Sequence, residues 1–141
     1  MKKMTISVVV LAVLFTMGIC FADSDIPNLV GTWTTDVQGG VILKGAKHGA
    51  KTHHRGDFSS LKGAWIVTRQ EGRVLHGIFK SPRATEKFVA VIAMDNKSLY
   101  QADEDGFIEG QIINNDQINV IYRHSSARDT VVAVGTCIRK K

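Results

Sequence analysis

The chain has 141 residues, of which 44% are hydrophobic, 22% are charged and two are prolines. This length predicts one domain, and the composition excludes a disordered polymer or a collagen-like repeat. Lysine and arginine exceed the acidic residues by 18 to 13. That excess is too mild for the concentrated basic surface of a nucleic-acid-binding protein.

The first element in chain order is a predicted secretory signal peptide over residues 1–22. Two lysines precede an apolar run over residues 6–15, and small or weakly polar residues lead to Ala22. We expect cleavage after Ala22, which leaves a single domain over residues 23–141 that is periplasmic or secreted. Without the two leader lysines, the net charge falls to about +3.

Two alternatives to cleavage are open. Residues 4–22 are just long enough to span a bilayer as an uncleaved anchor. In that case the leader alone would attach the protein to the membrane. Lipidation of Cys20 is disfavoured by the large side chain of Ile19. Cleavage leaves Cys137 as one cysteine, which cannot form a disulfide within its own chain, and its apolar neighbours predict a buried, inert thiol.

The mature chain shows short runs rich in Val, Ile, Thr and aromatic residues, separated by Gly, Asn and Asp. This pattern is typical of β-strands, and apolar residues at helical spacing are not sustained over three turns. Gly39 and Gly40 are predicted to end the first strand, with its continuation over residues 41–43 as the alternative. The predicted strands are 29–37, 64–69, 74–80, 87–94, 98–102, 107–113, 117–123 and 130–139.

Most of these eight strands are joined by tight turns, which predict antiparallel neighbours. Closure into an eight-stranded antiparallel up-and-down β-barrel would remove both edges of such a sheet. A two-sheet β-sandwich is the alternative, but its connections are usually longer. One long connection, over residues 44–61, is strongly basic and predicts either a lid or a loop.

Two clusters contain residue types that bind metal ions, but the pattern of neither cluster predicts a metal site. His48, His53, His54 and Asp57 lie within the basic connection, where interleaved cations would repel a metal ion. A solvated loop is the better interpretation. The other cluster gathers acidic side chains around Gly106, but its calcium-loop alignment places Ile112 where a glutamate is needed. Its acidic members, Asp103, Glu104, Asp105 and Glu109, are interpreted as a polar hairpin.

Gly31-Thr32-Trp33 on the first strand and Arg139 on the last resemble the calycin superfamily of lipocalin-like and avidin-like barrels. The resemblance implies that Gly31, Trp33 and Arg139 are structural: the tryptophan closes the base of the barrel and the arginine packs across its ring. The several tryptophans of an avidin-like biotin site are absent, because the chain has only Trp33 and Trp65.

Alternation along the strands predicts a lumen that holds one small ligand. Tyr122 is expected to supply a polar group and His124 to lie near the opening. Glycines in mid-strand either leave room in the lumen or let the strands coil, and both explanations stay open. The predicted ligand-binding residues are Trp65, Gly77, Phe79, Gly110, Tyr122, His124 and Gly135.

The sequence therefore predicts an exported barrel that binds a small, partly apolar molecule, without a cofactor, a metal or a named catalytic residue. One alternative is an interaction or inhibitor module that contacts an envelope protein through its outer surface or the basic 44–61 segment. Another is an isomerase or cyclase that uses the lumen. Phosphate-binding glycine loops, nucleophile elbows and paired zinc histidines are absent from the sequence.

Overall fold

The protein is an eight-stranded antiparallel barrel in the computed structural model, which describes residues 26–44 and 57–141. Each strand pairs with the next along the chain, and β8 returns to pair with β1. This order confirms the up-and-down barrel and not the sandwich. The strands are β1 (Gly31–Leu43), β2 (Asp57–Glu71), β3 (Val74–Lys80), β4 (Thr85–Ile92), β5 (Ser98–Asp103), β6 (Gly106–Asn114), β7 (Gln117–Ser125) and β8 (Asp129–Arg139).

Several strand boundaries differ from the sequence prediction, and the two largest differences are in β1 and β2. β1 continues through Gly39 and Gly40, because both glycines stay in register with β8. The predicted 44–61 connection is too long, since residues 57–61 belong to β2 and pair with residues 37–41 of β1. Cross-strand pairing with β1 extends the strand through a segment with little β-branched character, which local propensity alone does not indicate.

Alternate residues of every strand point into the barrel and form one core. The largest buried side chain, Trp33, makes an edge-to-face contact with Trp65, with ring centroids 6.1 Å apart. Trp65 in turn stacks on Phe88, with centroids 5.1 Å apart. These aromatic pairs fill the interior of the barrel around Trp33. Their ring contacts add to the free energy gained by burying the side chains.

The end of the barrel that holds Trp33 and Arg139, here called the base, is closed by residues 26–30. Leu29 is fully buried there and accepts a hydrogen bond from Trp33 Nε1 at 3.0 Å. A bulge between Val67 and Arg69 shifts the alternation of β2. Gln70 consequently faces this segment, accepting from the Leu29 amide and donating to the Pro27 carbonyl.

The opposite end, here called the mouth, carries the turns between β3 and β4 and between β5 and β6, at residues 81–84 and 104–105. Base and mouth therefore differ: an aromatic plug and a chain segment cover one, and polar turns surround the other. No helix in the described ranges has the length and apolar character needed to span a membrane. The predicted signal peptide lies outside the described residues.

Candidate ligand-binding site

A cavity of about 80 Å³ lies inside the barrel, between the Trp33 plug and the mouth. Its wall is mostly apolar, which is typical of small-molecule sites with a few placed polar groups. Apolar side chains in the wall are Val37, Leu61, Trp65, Phe79, Ala84, Leu99, Ile108, Ile118 and Val120, with Cys137. Polar ones are Thr35, Ser81, Glu86, Gln101, Asp103 and Tyr122.

A second cavity, of about 60 Å³, adjoins the first. The two share Val37, Leu61 and Tyr122, and the second one also reaches Arg83 in the β3–β4 turn. Tyr122 thus stands between two neighbouring spaces at the mouth. A molecule larger than the first cavity has room to extend into the second.

A short hydrogen-bonded chain fixes the polar groups in mid-cavity. Trp65 Nε1 donates to Gln101 Oε1 at 2.7 Å, and Gln101 Nε2 donates to Asp103 Oδ2 at 3.4 Å. Asp103 also accepts from the Gly106 amide at 2.6 Å, which anchors the β5–β6 turn. The indole and amide are therefore held in place before any ligand enters, which lowers the entropy lost on binding.

The mouth is acidic around Glu86. Burial, followed by the negative charges of Asp105, Asp103 and Glu104, raises the pKa of the Glu86 carboxyl to about 7. Burial and the same aspartates also raise the pKa of Tyr122 above its usual value, and its hydroxyl donates to Asp105 Oδ1 at 3.1 Å. The tyrosine therefore stays protonated at the cavity wall, and Glu86 exchanges its proton near neutral pH.

His124 is buried behind the tyrosine and does not line the cavity. Its Nε2 lies 2.8 Å from Asp129 Oδ1, and its Nδ1 contacts the backbone carbonyl of Asp105. Burial lowers the pKa of the imidazole, but both hydrogen bonds and the charges of the two aspartates outweigh it and raise the pKa overall. Because both ring nitrogens face acceptors, the pair stabilises the turn between β7 and β8.

Two polar groups of the wall, Thr35 and Cys137, are partners across β1 and β8 close to the plug. Burial raises the pKa of the Cys137 thiol to about 12. Thr35 Oγ1 is buried and has no hydrogen-bond partner among the described residues. An unreactive thiol and an unsatisfied hydroxyl therefore lie next to the plug.

Three of the predicted ligand-binding residues, Trp65, Phe79 and Tyr122, lie together in the cavity wall. His124 and the three glycines of the prediction are outside that wall. The explanation that Gly77 and Gly135 leave room in the lumen is wrong. A Cβ at Gly77 would lie 2.3 Å from the Phe88 ring, and one at Gly135 would lie 2.1 Å from the Asp36 carbonyl.

At Gly110, a Cβ would lie 3.1 Å from Leu99 and 3.3 Å from Ile118, so core side chains already take up most of the space beside it. These contacts favour the other explanation: the glycines allow close approach of strands and rings in a coiled barrel. Whether any of the predicted residues contacts a ligand stays a prediction.

Sequence reasoning missed Glu86, Gln101 and Thr35. The predicted strand 87–94 begins one position after Glu86, so the prediction does not include the glutamate among the residues that face the lumen. The alternation Glu86, Phe88, Ala90 could have identified it, and Leu99 before Gln101 carries the same signal on β5. Nothing in the sequence indicates that the hydroxyl of Thr35 lacks a partner.

The acidic cluster around Gly106 forms the β5–β6 hairpin, with Asp103 accepting from the Gly106 amide. Across the described ranges, no group of three His, Cys, Asp or Glu side chains is arranged to hold a metal ion. His48, His53 and His54 lie outside the described residues, and Asp57 begins β2.

No known family model matches the chain, and no curated protein sequence matches it. Among solved structures, the chain is similar to EF1p2_mFAP2b bound to DFHBI, with a TM-score of 0.52 and 9% sequence identity. The likeness covers 79% of this chain and 94% of that chain. At this identity the likeness shows a shared barrel fold.

Proposed function

We propose that the protein binds a small, partly apolar molecule in the barrel cavity. One observation carries the proposal: the barrel keeps an apolar cavity with a few fixed polar groups between its plug and its mouth. Eight-stranded barrels either fill their interior with side chains or hold one small ligand, and an open apolar cavity favours the second case.

The size of the cavity limits the ligand. A dry cavity of about 150 Å³ accommodates benzene. The first cavity, at about 80 Å³, is smaller than that, so a ligand with an aromatic ring places a substituent chain in the first cavity and its ring toward Tyr122 and the second cavity, of about 60 Å³. A chain of the same fold, EF1p2_mFAP2b, is bound to DFHBI, which supports small-molecule binding as a use of this architecture.

The mouth also selects by charge. Glu86 and Asp103 line the cavity, and Glu104 and Asp105 lie near enough to raise the pKa of Glu86. An anionic ligand would meet like charges there, at a cost that grows in the lower dielectric of the mouth. The side of the mouth around Glu86 therefore disfavours an anionic group and suits a neutral or cationic one, whereas the second cavity reaches Arg83.

Export to the periplasm or medium is part of the proposal, supported by the order of lysines, apolar run and small residues in residues 1–22. N-terminal sequencing of the protein from its host should give Asp23 first; an intact Met1 would contradict it. Membership of the calycin-like barrels is likewise proposed, supported by Gly31, Trp33 and Arg139 at the base.

The central experiment uses n-propylbenzene, a small apolar probe, in saturation-transfer NMR. Val120→Phe places a larger ring in the cavity wall, and Ile121→Phe makes the same kind of change on the outer face of the same strand. We expect Val120→Phe to abolish probe binding and Ile121→Phe to preserve it. Equal binding by both variants would overturn the cavity as the site.

Native mass spectrometry of the protein purified from its host identifies the natural ligand directly. A co-purified small molecule that Val120→Phe releases would support the proposal. A co-purified polypeptide that Val120→Phe retains would instead favour the alternative of an envelope interaction module acting through the outer surface.

A second candidate function is proton transfer, the isomerase-type alternative, because Glu86 lines the cavity with a pKa of about 7. A carboxylate with that pKa in an apolar site is a competent general base. Ring opening of 5-nitrobenzisoxazole reports on such a base. If Glu86 is a general base, the ring-opening rate should rise as the pH increases through 7. The activity should be lost in Glu86→Gln and retained in Glu71→Gln, a control at the base of the barrel.

A further inference from the structure

Thr35 lies on β1 one inward position above the Trp33 plug, opposite Gly63 on β2 and Cys137 on β8. Its side chain lines the cavity, and the residue is 4% exposed. The hydroxyl is therefore at the closed end of the cavity, on the far side from Glu86 and the mouth.

The hydroxyl of Thr35 has no hydrogen-bond partner among the described residues. The other buried polar side chains of those ranges, Gln101, His124 and Asp129, each make a hydrogen bond. Leaving a buried hydroxyl unpaired destabilises a folded protein, so each such group calls for an explanation. Val37, Gly39 and Val41 occupy the next inward positions of the same strand, where no hydroxyl is present.

We propose that Thr35 is a specificity-determining residue that hydrogen-bonds a neutral polar group, such as a hydroxyl or carbonyl, on an otherwise apolar ligand. The inference rests on the proposed function and deepens it. The threonine hydroxyl can donate and accept, so either group completes its hydrogen bonding. An ionised group on the ligand would have no counter-charge beside Thr35, because the charged side chains of the cavity wall, Glu86 and Asp103, lie toward the mouth. Burying an unpaired charge is costly, so the group that Thr35 binds is neutral.

The proposal also fixes the orientation of the ligand. Its neutral polar group enters first and reaches Thr35, the apolar chain behind that group contacts Trp65 and Val120, and its larger part lies toward Tyr122, with any cationic group on the acidic side of the mouth. A site with a buried hydrogen-bonding group discriminates against analogues that lack the matching group, because the protein group is then left unpaired.

The test compares two probes of similar shape, n-propylbenzene and 2-phenylethanol, in the parent chain and three variants. Thr35→Val removes the hydroxyl with little change in shape, Thr35→Ser retains it, and Thr34→Val makes the same change on the exposed face. We expect Thr35→Val to weaken 2-phenylethanol binding by about five- to tenfold. Binding of n-propylbenzene should be undiminished, and Thr35→Ser and Thr34→Val should retain the parent preference.

An unchanged preference for 2-phenylethanol in Thr35→Val, or an equal loss of affinity for both probes, would overturn the role proposed for Thr35. Neither result would bear on the proposed function of the cavity. Failure of the proposed function has a different signature, since n-propylbenzene binding would then be insensitive to Val120→Phe. Thermal unfolding without ligand gives an independent measure. Thr35→Val should unfold at a higher temperature than the parent, and a lower midpoint would contradict the unpaired hydroxyl.

Discussion

The guanidinium of Arg139 lies over the ring of Trp33, with Cζ 4.2 Å from the ring centroid. The same group donates to the carbonyls of Val30, Asn28 and Asn115, at 2.7 to 2.8 Å. One side chain thereby connects the first strand, the segment before it and the β6–β7 turn. The closure of the base therefore involves the contacts of Arg139 as well as the burial of the indole.

Trp33→Ala should lower the free energy of unfolding by about 3–5 kcal/mol, because it removes the largest buried side chain from the core. Arg139→Ala should cost less, about 1–3 kcal/mol, since it removes a cation–π contact and three hydrogen bonds from a partly exposed group. Urea denaturation measures both. Arg139→Lys provides the control, and its retention of full stability would show that charge alone suffices at this position.

Gly77→Ala should destabilise the fold by about 1–3 kcal/mol through overpacking, because the new methyl would lie 2.2 Å from the Ile66 carbonyl and 2.3 Å from the Phe88 ring. Gly40 is a matched control: it too lies in a strand, but a methyl there would meet nothing within 4 Å. Gly40→Ala should change the stability by less than about 0.5 kcal/mol. Similar costs at the two sites would contradict the close packing around Gly77.

The stability of the protein should fall as the pH rises from about 4.5 through 7. The pKa of the Glu86 carboxyl is about 7 in the folded chain, against an ordinary value of 4.5, so the folded state binds the proton more tightly. The stability that this provides is complete below the unfolded pKa and is lost as the pH passes the folded one. His124, whose pKa is also raised, changes stability in the same direction.

NMR titration of the Glu86 side-chain carboxyl should give a midpoint near 7, and one near 4.5 would contradict the burial and acidic surroundings described for it. Urea midpoints at pH 5, 6, 7 and 8 give the matching measure of stability. Glu86→Gln keeps the neutral form, so its advantage over the parent should grow across this range. Glu71→Gln, at the base, should show no such trend.

Cys137 should resist alkylation in the native state. Burial raises the pKa of its thiol to about 12 from an ordinary value of 9.0, which lowers the thiolate fraction at pH 8 by about a thousandfold. Iodoacetamide labelling followed by peptide mass mapping measures modification at this residue specifically. Rapid labelling of Cys137 without urea, at the rate seen in urea, would contradict its burial.

The strand order was predictable, because alternation of apolar residues and tight turns are local properties of the sequence. Alternation placed Trp65, Phe79 and Tyr122 on the inward side, and the resemblance to calycin-like barrels placed Trp33 at the base. Gly77 and Gly135 were ambiguous, because a glycine indicates a special backbone position without saying which atom fills the space beside it. That information came from Phe88 and from the β1 backbone, both distant in sequence.

The polar part of the cavity was harder to predict. Glu86 is the second residue of β4, which begins two residues before the predicted start. The raised pKa of its carboxyl depends first on burial and then on acidic residues from another hairpin, neither of which is a local property of the sequence. Alternation from Trp33 puts Thr35 on the same inward face and puts Thr32 and Thr34 on the other face. The significance of Thr35 comes instead from the absence of a hydrogen-bond partner among the described residues, which is a property of three-dimensional packing and not of any pattern along the chain.

The pairing of β1 with β8 has a consequence for folding kinetics. Seven of the eight strand pairs join consecutive strands, whereas the Trp33–Arg139 pair joins residues at opposite ends of the described chain. The hairpins can form in any order at low entropic cost, but the cost of closing the large loop is concentrated in the β1–β8 seam. Substitutions along that seam should therefore alter the folding rate if closure is part of the transition state, and mainly the unfolding rate if closure follows it.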